Sequence, residues 1–150
     1  MVRDRKKKIK RVLLASDHAG FELKNKIKLF LIKKGNTVLD LGTINTDSVD
    51  YPDYAKKLVS KISSTENSKG ILICGSGIGM SIAANRDRNI RAGIAFEPEI
   101  AKLMREHNDV NVLVLPGKFM NIQDVLKCIA NFLTTNFAGG RHQNRVKKLS

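Results

Sequence analysis

Apolar residues in this chain switch repeatedly between two spacings. Val12–Ser16, Thr37–Leu41, Ile71–Cys74, Arg91–Ala95 and Val112–Leu115 are short and mainly apolar, which predicts strands. The segments between them place apolar residues at intervals of three and four. Phe21–Lys34 carries Leu23, Ile27, Phe30 and Leu31 and stops at Gly35. Tyr51–Ser63 has Pro52 in its first turn. Gly79–Asn85 is a short helix; Glu97–His107 carries Ile100, Leu103 and Met104; Asn121–Thr134 carries Ile122, Val125, Leu126, Ile129 and Leu133. Arg141–Leu149 reads as a last, polar helix.

Strand and helix alternate throughout, with no internal repeat. The expected fold is therefore α/β: a single-domain, Rossmann-like three-layer α/β/α sandwich around a five-stranded parallel sheet, with right-handed crossovers. In such sheets a ligand site lies outside the carboxyl ends of the strands. Polar and reactive residues gather at those positions. Asp17-His18-Ala19-Gly20 follows the first strand, and Ser48-Val49-Asp50-Tyr51-Pro52 closes the loop after the second. Cys74-Gly75-Ser76-Gly77-Ile78-Gly79 follows the third, and Pro116-Gly117-Lys118 the fifth.

The third of these is the most informative. Three alternate glycines between a strand and a helix bring backbone N–H groups to one point, where an anion is favoured. Cys74 stands at the rim of that point, where a thiolate is expected to be favoured. A cysteine is often just a small buried hydrophobe. The strand-end position beside the glycines favours a catalytic role for Cys74, whereas Cys128, on an apolar helix face, reads as core. The loop does not match a dinucleotide fingerprint, since Met80 stands where the third glycine would be. Glu97 lies at about the distance of a ribose-binding acid, but the loop follows the third strand and the chain is short for a dinucleotide enzyme. No G-x-x-x-x-G-K-[ST] occurs. Asp17-His18 reads equally as a helix-capping pair or as an acid/base or phosphate ligand. His107-Asn108 alone is a helix end. Arg141 and Arg145 share one helix face, a geometry that suits a phosphate but is often merely solvated. The histidines lack metal-ligand spacing, and no metal is expected.

Composition narrows the class. The chain has 150 residues, 42% hydrophobic and 27% charged, enough for one folded domain. No apolar run approaches the roughly 20 residues of a membrane span, and no signal core follows the basic start, so a cytoplasmic location is expected. Two cysteines make no disulfide framework. The net charge of +13 favours anionic partners. Much of it lies at the two ends, in Arg141, Arg145, Lys147 and Lys148 and in a basic extension, residues 1–11, set apart from the domain at 12–150. With aromatics at 5% and no Trp, that extension reads as a solvated tail rather than a nucleic-acid contact.

Five segments in order, Asp17-His18-Ala19-Gly20, Asp50-Tyr51-Pro52-Asp53-Tyr54-Ala55, Cys74–Gly79, His107-Asn108-Asp109 and Gly139–Val146, closely resemble the type B ribose-5-phosphate isomerases. That family also holds galactose-6-phosphate and allose-6-phosphate isomerases. The resemblance implies an aldose–ketose isomerase acting through a cis-enediolate, with no metal and no cofactor. It implies Cys74 as the base, Ser76 as the hydroxyl shuttling protons between sugar oxygens, and the N–H groups of Gly75, Gly77, Ile78 and Gly79 as an anion hole. It implies Asp17 and His107 in ring opening, Tyr51 and Asn108 as substrate contacts, and His18, Arg141 and Arg145 as phosphate ligands. His107, Asn108 and both arginines would come from a second subunit, so a homodimer with shared sites is expected, or a tetramer of such dimers. Lys118 stands where the family often has arginine, which weakens one expected phosphate contact. A hexose 6-phosphate substrate is the nearest alternative, and a non-enzymatic nucleotide- or nucleic-acid-binding module the more distant one.

Overall fold

A computed structural model describes residues 11–149. Strands β1 (Arg11–Ser16), β2 (Thr37–Asp40), β3 (Ser68–Cys74), β4 (Ala92–Ile94) and β5 (Val112–Pro116) form one wholly parallel sheet in the order β2-β1-β3-β5-β4. The helices are α1 (Phe21–Lys33), α2 (Tyr51–Ser63), α3 (Ile78–Ala84), α4 (Pro98–Asn108), α5 (Ile122–Thr134) and α6 (Arg141–Lys147). Arg11 is the first residue of β1; the rest of the basic extension lies outside the described residues. No helix among the described residues is long and apolar enough to cross a membrane.

A parallel strand covered on both faces needs apolar side chains on both, and β1 supplies them. Val12 and Leu14 point into one core, Leu13 and Ala15 into the other. The first core is closed by Ile27 and Leu31 of α1, Ala101 and Met104 of α4, and Val125, Ile129 and Phe132 of α5. The second is closed by Ala55, Leu58 and Val59 of α2 with Met80 and Ala84 of α3. The three layers expected from the alternation are the ones the chain adopts.

Two features escape the binary pattern. β3 begins at Ser68, not Ile71, because Ser68, Lys69 and Gly70 pair with Arg11, Val12 and Leu13; ladder bonds need backbone, not apolar side chains. Lys24 on α1 is 1% exposed, and its Nζ donates to both oxygens of Asp40 at 2.9 and 2.8 Å. Asp40 in turn accepts from the Gly42 N–H at 2.9 Å. The Gly42 carbonyl takes the Ser16 N–H, and the Thr43 N–H goes to the Ser16 carbonyl. The loop leaving β2 is thereby pinned to the end of β1.

The sheet order fixes where the site can be. The chain passes from β1 to β2 on one side, then crosses back to β3 on the other. The carboxyl ends of β1 and β3 therefore flank a switch point, the place where such sheets bind ligands. Each connecting helix runs back against the strands, so its carboxyl end lies at the opposite edge of the sheet.

Candidate active site

The turn after β3 is built from glycines for two separate reasons. Gly77 has φ +77°, a left-handed conformation that a side chain resists. Gly79 leaves room for Tyr51: a Cβ there would meet the tyrosine ring at 2.5 Å. The first residue of α2 is thus laid across the first turn of α3. The turn folds back on the strand end, so that the Gly77 N–H donates to Cys74 Sγ at 3.1 Å and the Ile78 N–H to Ser76 Oγ at 3.3 Å. Beyond β5, the Lys118 N–H donates to the Gly75 carbonyl at 3.1 Å. The aliphatic stem of Lys118 lies over Gly75.

The segment after β1 forms the other wall. Asp17 is 8% exposed; its Oδ1 accepts the Gly20 N–H at 3.1 Å, so the capping role is real. Its own N–H reaches the Ile73 carbonyl at 3.3 Å, one residue before the cysteine. His18 Nδ1 accepts the Val49 N–H at 3.1 Å. An accepting Nδ1 assigns the proton of a neutral ring to Nε2. The loop that Lys24 and Asp40 anchor at its start therefore sets a histidine tautomer at its end.

The electrostatics of Cys74 correct one expectation. Burial pushes its thiol up, and so does the Asp17 charge; the Met80, Gly77 and Ser76 N–H groups pull it down. The net result lies above the ordinary thiol value of 9.0. The sequence favoured a thiolate, but at 5% exposure desolvation outweighs the donors. Cys128 is core as expected, pushed up to about 11 by burial and by Asp124 and Glu97.

The expected site residues fall into two groups. Cys74, Gly75, Ser76, Gly77, Ile78, Gly79, Asp17, His18, Tyr51 and Lys118 gather at the carboxyl edge. His107 and Asn108 end α4 and therefore lie at the amino edge. The residue after them, Asp109, pairs with Arg91, just ahead of β4, at 3.1 Å. Helix α6, with Arg141 and Arg145, is tied to this same end. The Ala138 N–H donates to the Glu106 carbonyl at 3.1 Å, and Arg105 Nε to the Thr135 carbonyl at 3.2 Å. The His107 and His142 rings stack, centroids 4.4 Å apart and planes 18° from parallel. One chain thus carries the expected site residues as two groups on opposite edges of the sheet. Sequence reasoning had no signal for the stack, whose members are distant along the chain.

The sequence matches the ribose/galactose isomerase family over residues 12–149. It is similar to a ribose 5-phosphate isomerase of Thermotoga maritima, a crystal structure 52% identical, with TM-score 0.90, covering 93% of this chain and 96% of that one. It is 39% identical to ribose-5-phosphate isomerase B of Escherichia coli over 142 residues, 95% of each chain. The ribose-5-phosphate isomerase B of Mycoplasma genitalium, solved with bound ribulose-5-phosphate, is 38% identical with TM-score 0.89 over 93% of both chains.

Proposed function

The chain belongs to the ribose/galactose isomerase family, and from that premise we propose that it interconverts ribose 5-phosphate and ribulose 5-phosphate through a cis-enediolate. The observation that carries the chemistry is Cys74 Sγ, one residue from a turn of backbone donors and close enough to Asp17 to feel its charge.

The reaction moves one proton between carbons and one between oxygens. Asp17 and His107 open the furanose. The Cys74 thiolate then takes the proton from C2, and its electrons form the C1–C2 double bond with the negative charge on O1. The N–H groups of the glycine turn receive that charge; one such donor is typically worth about 3 kcal/mol. Ser76 gives its hydroxyl proton to O1 and takes one from O2. The O2 charge collapses to the ketone, and C1 takes the proton held by sulfur. Asp17 has a second effect: on accepting a proton it loses the charge that opposes the thiolate, so ring opening readies the base.

Tyr51 and Asn108 contact the sugar, while His18, Lys118, Arg141 and Arg145 hold the phosphate and orient the reacting carbons. Because His107, Asn108 and the arginines sit at the far edge of their own chain, we assign them to the site of a second copy, in a homodimer with two shared sites. Such a protein works in the cytoplasm, in the non-oxidative pentose phosphate pathway. The test is a coupled assay for ribulose 5-phosphate, with allose and galactose 6-phosphates run beside ribose 5-phosphate. Turnover of the pentose supports the reading; turnover of a hexose alone, or of none, overturns it.

A further inference from the structure

We propose that His142 is the positioning residue for His107, setting the ring-opening imidazole by stacking rather than by a hydrogen bond; this rests on the reading above. A working histidine is usually oriented through its second nitrogen, by a carbonyl or carboxylate. Neither nitrogen of His107 takes a hydrogen bond within the described residues. What the ring meets is the face of His142 at 4.4 Å, within 18° of parallel. The flat contact restricts the tilt of the His107 ring.

The placement of His142 follows from helix geometry. Arg141 and Arg145 lie four residues apart on one face of α6, where a phosphate can be gripped. His142, one residue on, is turned by about 100° from Arg141, towards α4. One short helix therefore presents the phosphate clamp on one side and the brace for His107 on another. The brace is chemically suited to its task. Burial of the ring, then His107, Arg141 and Arg145, hold His142 below the ordinary imidazole value. That direction lessens repulsion between the two rings. The bonds that hold the segment leading into α6 against α4, from the Ala138 N–H to the Glu106 carbonyl and from Arg105 Nε to the Thr135 carbonyl, do not involve His142.

The experiment is a mutant cycle on ribose 5-phosphate turnover with His142→Ala, His142→Phe, His107→Asn and the double variant His107→Asn/His142→Ala. His142→Ala is expected to lower kcat/KM about tenfold, the scale of a lost aromatic stack. His142→Phe, which keeps a flat face but cannot titrate, should recover most of that loss. On the His107→Asn background, His142→Ala should add nothing beyond about twofold, because both changes act through one ring. Inhibition by inorganic phosphate, which reads Arg141 and Arg145, should not change. The proposal is overturned if His142→Ala works like wild type, if His142→Phe is as poor as His142→Ala, or if the loss multiplies with that of His107→Asn. Weakened phosphate inhibition would also overturn it, showing that α6 itself had moved. Wild-type protein inert on ribose 5-phosphate would remove the functional reading first, and this inference with it.

Discussion

Gly79→Ala separates stability from catalysis at a single position. The added Cβ would lie 2.5, 2.6 and 2.9 Å from three carbons of the Tyr51 ring. Ordinary contact begins near 3.4 Å, so the ring must retreat by about 1 Å. Tyr51 is 40% exposed, so it can swing outward rather than strain the core. Alanine in the first turn of α3 gains up to about 1 kcal/mol over glycine in helix propensity. The lost ring packing costs about as much. The two nearly cancel, and thermal melting should move by no more than about 3 °C. Catalysis should not be spared. A substrate contact displaced by about 1 Å can cost on the order of a hundredfold in rate, so kcat/KM on ribose 5-phosphate should fall between about tenfold and a hundredfold. Tyr51→Ala should show a loss of its own, and adding Gly79→Ala to it should cost little more, since the clash has gone. Unchanged activity in Gly79→Ala would refute the role given to Tyr51, and a large drop in melting temperature would refute the claim that the ring yields.

Other outcomes follow from the same geometry. Alkylation of Cys74 by iodoacetamide should accelerate with pH without levelling off below about 9, because burial and Asp17 raise the thiol. In Asp17→Asn the profile should shift to lower pH, since the opposing charge is gone; a shift upward contradicts the electrostatic account. Mixing inactive Cys74→Ala with inactive His107→Ala, under conditions that exchange subunits, should restore about a quarter of wild-type activity, since half the dimers are mixed and each carries one intact site. No recovery in demonstrably mixed dimers would refute the shared site.

The architecture was legible because period-two and period-3.6 segments alternate without interruption, and the apolar runs of β1, β3 and β5 are buried on both faces. Cys74, Asp17, Tyr51 and Lys118 were legible because each follows a strand or closes the loop after one, and a parallel sheet collects those positions. Four things were not. The place of β5 between β3 and β4 is a pairing choice that alternation does not encode. Lys24 shares a helix face with the buried Ile27 and Leu31, but a lysine there is expected to reach solvent, and only the distant Asp40 explains its burial. The height of the Cys74 thiol depends on how completely the fold dries the strand end, which local spacing does not state. The His107–His142 stack is likewise a meeting of two helix ends.

The central claim is that the sulfur of Cys74 carries the proton between sugar carbons. The direct measurement is ribose 5-phosphate turnover by Cys74→Ala, together with exchange of the C1 protons of ribulose 5-phosphate in deuterated water. The variant should melt near wild type and still be occupied by inorganic phosphate. Its turnover should fall by at least about a thousandfold, the scale of a lost proton-transfer group, and exchange should vanish with it. Turnover and exchange near wild-type rates would place the base elsewhere.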